Sequence, residues 1–162
     1  MAAKDKEIKT NAMRILDKNK VSYKTNFYEC DEFIDAMKIA DMLNQPYDRT
    51  FKTLVTEGKS KNHYVFVIPI DMELDLKKAA KSVGEKSIEM IHVKDIKDLT
   101  GYIRGGCTPV GMKKLFKTII HTTAMEYDEI IISGGCIGAQ IFIEPNALAK
   151  VVRAEFAEVV VE

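Results

Sequence analysis

Apolar and charged positions alternate along this chain with two periods, and the places where the period changes mark the elements. Between Lys4 and Lys20, Ile8, Met13, Ile15 and Leu16 recur among charged residues at close to 3.6-residue spacing, which predicts an amphipathic helix. From Val21 the period falls to two. Val21, Tyr23, Thr25 and Phe27 alternate with Ser22, Lys24, Asn26 and Tyr28, a half-exposed strand with Tyr28 at its end. Asp31 to Leu43 returns to helical spacing through Phe33, Ile34, Met37, Ile39, Ala40, Met42 and Leu43, and stops before Asn44-Gln45-Pro46. Arg49 to Val55 and Tyr64 to Ile70 then read as two strands of a hairpin across a turn from Gly58 to Asn62. The second is too uniformly apolar to leave one face wet.

Asp75 to Val83, with an aspartate at its start and Gly84 beyond its end, has the punctuation of a short capped helix. Ile88 to Val93 predicts a strand, and Lys94 to Leu99 a short helical piece. Leu115, Phe116, Ile119 and Ile120 fall in a strand or irregular apolar segment. Glu129 to Ile132 and Ala139 to Glu144 are strands on either side of a glycine loop, and Pro145 to Val152 closes as a helix with proline in its first turn. Helices and strands mix without a strict βαβ repeat, which indicates an α/β domain with a mixed, curved sheet.

At 162 residues and 46% hydrophobic content, the chain has the size and apolar content of one domain, residues 1–162. Lys plus Arg and Asp plus Glu are 24 each, so no global field draws the protein onto a polyanion. No apolar run approaches the length of a membrane helix, and Met1 to Thr10 is polar where a signal peptide is apolar; the expectation is a cytoplasmic protein with no membrane partner. Cys30, Cys107 and Cys136 are odd in number and form no CxxC pair, and His63, His92 and His121 lack metal-type spacing. No metal and no cofactor are expected. Cys107 and Cys136 each follow a Gly-Gly pair, where a thiolate could be stabilised by backbone amides; small turn-filling residues are the simpler reading.

Seven of the nine glycines lie in two loops, Gly101 to Gly111 and Ser133 to Gly138. Glycine admits positive φ and close backbone approach, so such loops can present N–H groups to an oxyanion or a phosphate, or can be plain tight turns. Neither GxGxxG nor GxxxxGK followed by Ser or Thr is present, which removes the usual nucleotide fingerprints. Lys52, within the strand that begins at Arg49, is either a solvated edge residue or, pointing inward, a cation for a phosphate, a carboxylate or a developing oxyanion.

Five pieces occur in an order that resembles the YbaK family: Tyr28-Glu29, Phe51-Lys52-Thr53-Leu54, Leu74-Asp75-Leu76-Lys77-Lys78, Gly101-Tyr102 with Gly105-Gly106-Cys107-Thr108-Pro109, and Ser133-Gly134-Gly135 with Gly138. These are stand-alone Cys-tRNA(Pro) deacylases related to the editing insertion domain of bacterial prolyl-tRNA synthetases, and the likeness runs from about Thr10 to Phe156. It implies a single α/β domain whose curved, mixed, largely antiparallel sheet is barrel-like and flanked by helices. Lys52, Gly101, Gly105 and Gly106 would carry catalysis, with Lys52 holding the terminal adenosine phosphate or the aminoacyl group. Tyr28, Thr53, Thr108, Pro109, Ser133, Gly134, Gly135, Gly138 and Gln140 would bind substrate. Gln140 stands where some members carry an acid, which weakens a carboxylate there as a partner for the substrate amino group.

The resemblance further implies that the cysteinyl thiol of the substrate assists cleavage of its own ester, and that the acceptor end of tRNA(Pro) carrying cysteine is the partner, with prolyl-tRNA synthetase as a possible delivering protein. Such an ester is already activated, so no Ser-His-Asp set is required. The alternatives are an Ala-tRNA(Pro) or broader aminoacyl-tRNA deacylase, or a non-catalytic module that binds a nucleotide or aminoacyl-adenosine.

Overall fold

The computed structural model describes residues 9–30 and 34–162. The helix expected from Lys4 begins, within the described part, at α1 (Asn11–Lys18), where Thr10 caps the first turn by accepting the Met13 N–H. The start of the expected Asp31–Leu43 helix includes residues 31–33, outside the described residues. Beyond them helix begins later, at α2 (Ala36–Met42), after Asp35 in extended backbone.

Among the described residues the chain forms two open sheets, so the barrel-like closure implied by the resemblance is not seen. β1 (Tyr23–Phe27), β7 (Ala139–Ile143) and β6 (Ile130–Ser133) make an antiparallel sheet in that order. The larger sheet is ordered β4 (Ile88–Met90), β2 (Phe51–Gly58), β3 (His63–Pro69), β5 (Lys117–His121), β8 (Glu155–Ala157). Its first three strands pair antiparallel and its last two join in parallel, so the sheet is mixed, as expected. Each sheet ends in free edges among the described residues. The two touch at one parallel bridge, Thr50 to Ile131.

β3 explains its own composition. As the central strand of five it is covered on both faces. Val65 and Val67 enter a core with Phe51, Ile120, the apolar face of α1, the small sheet and α5 (Pro145–Val152). Tyr64, Phe66 and Ile68 point the other way, into a core with Ala79 and Ala80 of α3 (Leu76–Val83) and with Val159 and Val160. Burying a side chain such as Phe66 or Ile68 contributes roughly 1.5–3 kcal/mol.

The helix ends follow the sequence punctuation. Asp75 accepts the N–H groups of Lys77 and Lys78 at the start of α3, and Gly84 closes it in the left-handed region. Glu144 does the same for α5 by accepting from Asn146 and Ala147, with Pro145 in the first turn. The expected strand over Ile88–Val93 is shorter, because the chain turns into a 3-10 segment at Val93 before α4 (Ile96–Thr100). No helix among the described residues is long and apolar enough to cross a membrane.

Candidate active site

Past the Thr50–Ile131 bridge the two sheets diverge, and the gap between β2 and β6 opens a cavity of about 320 Å³. β2 pairs with β3 along its length, but on its other edge it meets β4 only at Thr56 to Gly58. Over Lys52 to Leu54 that edge has no ladder partner among the described residues, and all three residues line the cavity. Val55 presents its carbonyl to Ile91 on this edge, so by the two-residue alternation the N–H and C=O of Thr53 project from the same side. The Thr53 hydroxyl oxygen is buried without a hydrogen-bond partner. An unpaired edge plus an unpaired hydroxyl is a polar rim suited to a ligand rather than to a folding core.

Lys52 is half-buried on the wall of this cavity. Its Nζ donates a long bond of 3.4 Å to the Ile70 carbonyl, and among the described residues no carboxylate closes an ion pair on it. Burial pulls the ammonium below the usual lysine range, and the acids Asp35, Glu73 and Asp71 pull it back up. The result is a cation with poor internal solvation and free donors facing the cavity.

The first glycine loop supplies Arg104, Gly105 and Cys107 to the opposite side. Gly106 lies outside the lining. Its N–H is committed to the Ile103 carbonyl at 2.9 Å, and a Cβ there would come within 2.8 Å of the Cys136 Cα. Gly106 therefore lets the two glycine loops pass each other, and it leaves Gly105 and Cys107 as the backbone bordering the cavity. Gly101 is also away from the lining. At φ +87° it ends α4, with only Lys113 near the place a Cβ would occupy, so its demand is conformational and not room for substrate. Thr108 and Pro109 are buried behind the loop, Thr108 with an unpartnered hydroxyl.

From the second loop only Ser133 reaches the cavity. Gly134 and Gly135 spend their N–H groups on the Ala139 carbonyl and the Ser133 hydroxyl, and Gly138 accepts the Tyr28 N–H at 2.9 Å. That last bond places Tyr28 just past β1, where its half-buried ring lines the cavity. Burial pushes its phenol up, with a backbone hydrogen bond from Gly138 opposing. Gln140 lines the cavity too, locked by side-chain amides: it donates to Gln45 at 2.9 Å and accepts from Gln45 at 2.8 Å and from Asn26 at 3.1 Å.

Of the residues expected from sequence, Lys52, Thr53, Gly105, Tyr28, Ser133 and Gln140 thus meet in one cavity, and the remaining glycines with Thr108 and Pro109 shape the loops around it. Several contributors escaped the sequence reading, Arg104 of the first glycine loop among them. Asp35 and Ile39 come from the start and middle of α2, and Gln45 from the turn after it. Helical spacing and a stop at Asn44-Gln45-Pro46 were visible there, but nothing marked these side chains as part of a site. Among the described residues that line the cavity, Asp35 is the one carboxylate. Cys107 is on the wall, yet burial pushes its thiol up to about 11, and Cys136 is raised by the same cause; neither is poised as a thiolate.

The chain is similar to known proteins over most of its length. The aminoacyl-tRNA editing domain family matches residues 33–151. The chain is 46% identical over 160 residues to EbsC of Enterococcus faecalis, named for Cys-tRNA(Pro)/Cys-tRNA(Cys) deacylation, covering 98% of each chain. A proline–tRNA ligase of Thermosipho africanus is 28% identical over 98 residues, 60% of this chain and 17% of that protein. Among solved structures, one described as a trans-editing enzyme for prolyl-tRNA synthetase superposes with TM-score 0.79 at 22% identity, over 96% of this chain and all 100% of that one, and shares the fold. The chain belongs to the aminoacyl-tRNA editing domain family.

Proposed function

We propose that this protein is a trans-editing hydrolase that removes cysteine from mischarged Cys-tRNA(Pro), with residues 1–162 working as one editing domain. The observation that carries the reading is Lys52, a half-buried ammonium with donors facing a cavity bordered by Gly105, Cys107 and the unpaired edge of β2. The identity to a protein named for that activity supports the choice of cysteine. A cytoplasmic location fits a tRNA substrate.

The chemistry asks little of the protein. The thiol sulfur of the bound cysteine attacks its own carbonyl carbon, the bond from that carbon to the ribose oxygen breaks, and the ribose hydroxyl leaves with the thiol proton. Water then opens the small thiolactone to free cysteine. Lys52, with the backbone around Gly105, stabilises the negative oxygen that develops, as a cation and donors fixed in place before the reaction. Asp35 is placed to receive the α-amino group, the task that Gln140 cannot perform because it is uncharged and its amide is engaged by Gln45 and Asn26. Prolyl-tRNA synthetase is the protein that would deliver the substrate.

Deacylation of Cys-tRNA(Pro) beside Ala-tRNA(Pro), by the native protein and by Lys52→Ala, tests the reading. Rapid loss of the cysteinyl ester alone, abolished by the substitution, is the expected result. Cleavage of neither ester faster than in buffer removes it.

A further inference from the structure

Resting on that reading of the cavity, we propose that a second groove, bordered by Lys61, Lys113, Lys114 and Lys117, holds the phosphodiester backbone of the tRNA whose acylated end occupies the cavity. The groove encloses about 740 Å³, and all four lysines are exposed. It has no part in the cavity at Lys52; the two share no lining residue.

The charge is local. Across 24 basic and 24 acidic residues the chain is neutral, so a polyanion would be held by a patch or not at all. Among the described residues Lys113, Lys114 and Lys117 close no ion pair, and Lys61 reaches only a loose 3.9 Å contact with Glu57. The Lys113 ammonium rests on the Asp98 backbone carbonyl at 3.1 Å, which orients it without neutralising it. Between the lysines lie Phe116, packed edge-on to His63 at 5.9 Å, and Leu115, 60% exposed, an apolar floor against which a ribose or a base can lie.

Two further features fix the occupant's position. One acid, Asp98, lines the lysine groove itself, at the border with His63 and Leu99 that it shares with a neighbouring groove; that groove adds Glu57, Glu89 and Asp95, so a polyanion is repelled on that side and held toward the lysines. The loop that leaves the cavity at Arg104, Gly105 and Cys107 is the same one that delivers Lys113 and Lys114 to the groove. A nucleic acid with its 3′ end at one end of this loop has a basic track at the other.

The test compares native protein with Lys113→Glu/Lys114→Glu on two substrates, Cys-tRNA(Pro) and the cysteinyl ester of adenosine, which is too small to reach the groove. The variant should raise KM for the tRNA about tenfold and reduce the slope of log affinity against log salt by about two, one for each phosphate no longer neutralised. Turnover of the adenosine ester should be unchanged, which also shows that the variant is folded. Binding of uncharged tRNA(Pro), followed by fluorescence anisotropy, gives the same comparison without catalysis, so a failure of the hydrolase reading leaves this readout intact. Unchanged tRNA affinity overturns the proposal, as does an equal loss on both substrates or a variant that loses only capture of a synthetase.

Discussion

Lys52 is where two demands on an amine conflict. The fold buries half of the side chain, which favours the neutral form, while the proposed chemistry needs the charge. The net direction is downward from an ordinary lysine pKa near 10.4. Three outcomes follow from this conflict. Activity that depends on the ammonium is complete well below the lowered value and declines as pH rises through it, so kcat/KM for the cysteinyl ester should fall on a limb below the ordinary lysine pKa. Lys52→Ala should lower kcat/KM about 10²–10³-fold, the size of losing one preorganised oxyanion donor. Removing the buried charge should also leave Lys52→Met at least as resistant to urea as the native protein, because the unfolded chain no longer holds the proton more readily than the folded one. Asp35 makes a separable prediction. Asp35→Asn should raise KM for the cysteinyl ester but have little effect on the N-acetylated ester, and equal effects on both would take the α-amino group away from Asp35.

The elements differ in how much of them the sequence carries. In the glycine loops, chemistry and architecture use the same residue type, and only the neighbours tell them apart. Gly106→Ala would drive a methyl group into the Cys136 backbone and should cost about 1–3 kcal/mol in a denaturant titration, whereas Gly101→Ala strains only its own left-handed backbone, by about 1–2 kcal/mol, and should leave turnover on the cysteinyl ester near native. The β2–β3 hairpin, the buried character of β3 and both caps of α3 were legible, since each is written within a dozen residues as a period or a punctuation mark. The pairing of Tyr23 with Ile143 was not, and neither was the separation into two open sheets, because partners so far apart in the chain leave no local period. The site divides the same way. Lys52 and Gly105 were reachable through an ordered motif, while Asp35 and Gln45 come from the entry and exit of a short helix and carry no pattern of their own.

At the scale of the whole molecule, the second core is closed by the end of the described chain, and one histidine joins that end to the large sheet. Val159 and Val160 are buried against α3 and β3, held by the Asp75 N–H on the Val159 carbonyl and by a bridge between Leu74 and Val160. His121, the last residue of β5 and only 3% exposed, accepts the Val159 N–H through Nδ1 at 3.3 Å. That bond needs the neutral ring. Burial is the main cause that lowers the His121 pKa, opposed by Glu158 and by a backbone hydrogen bond to Ala157 and assisted by Lys78. A histidine with a folded pKa below its unfolded value of about 6.5 binds its proton more readily once the chain unfolds. Its contribution is therefore complete above about pH 6.5 and diminishes as pH falls toward the folded value. Urea unfolding between pH 7.5 and 5 should show a loss of stability over that interval that is larger in the native protein than in His121→Gln, which offers an acceptor but no titrating group. Parallel curves for the two proteins would mean that the acid sensitivity lies elsewhere.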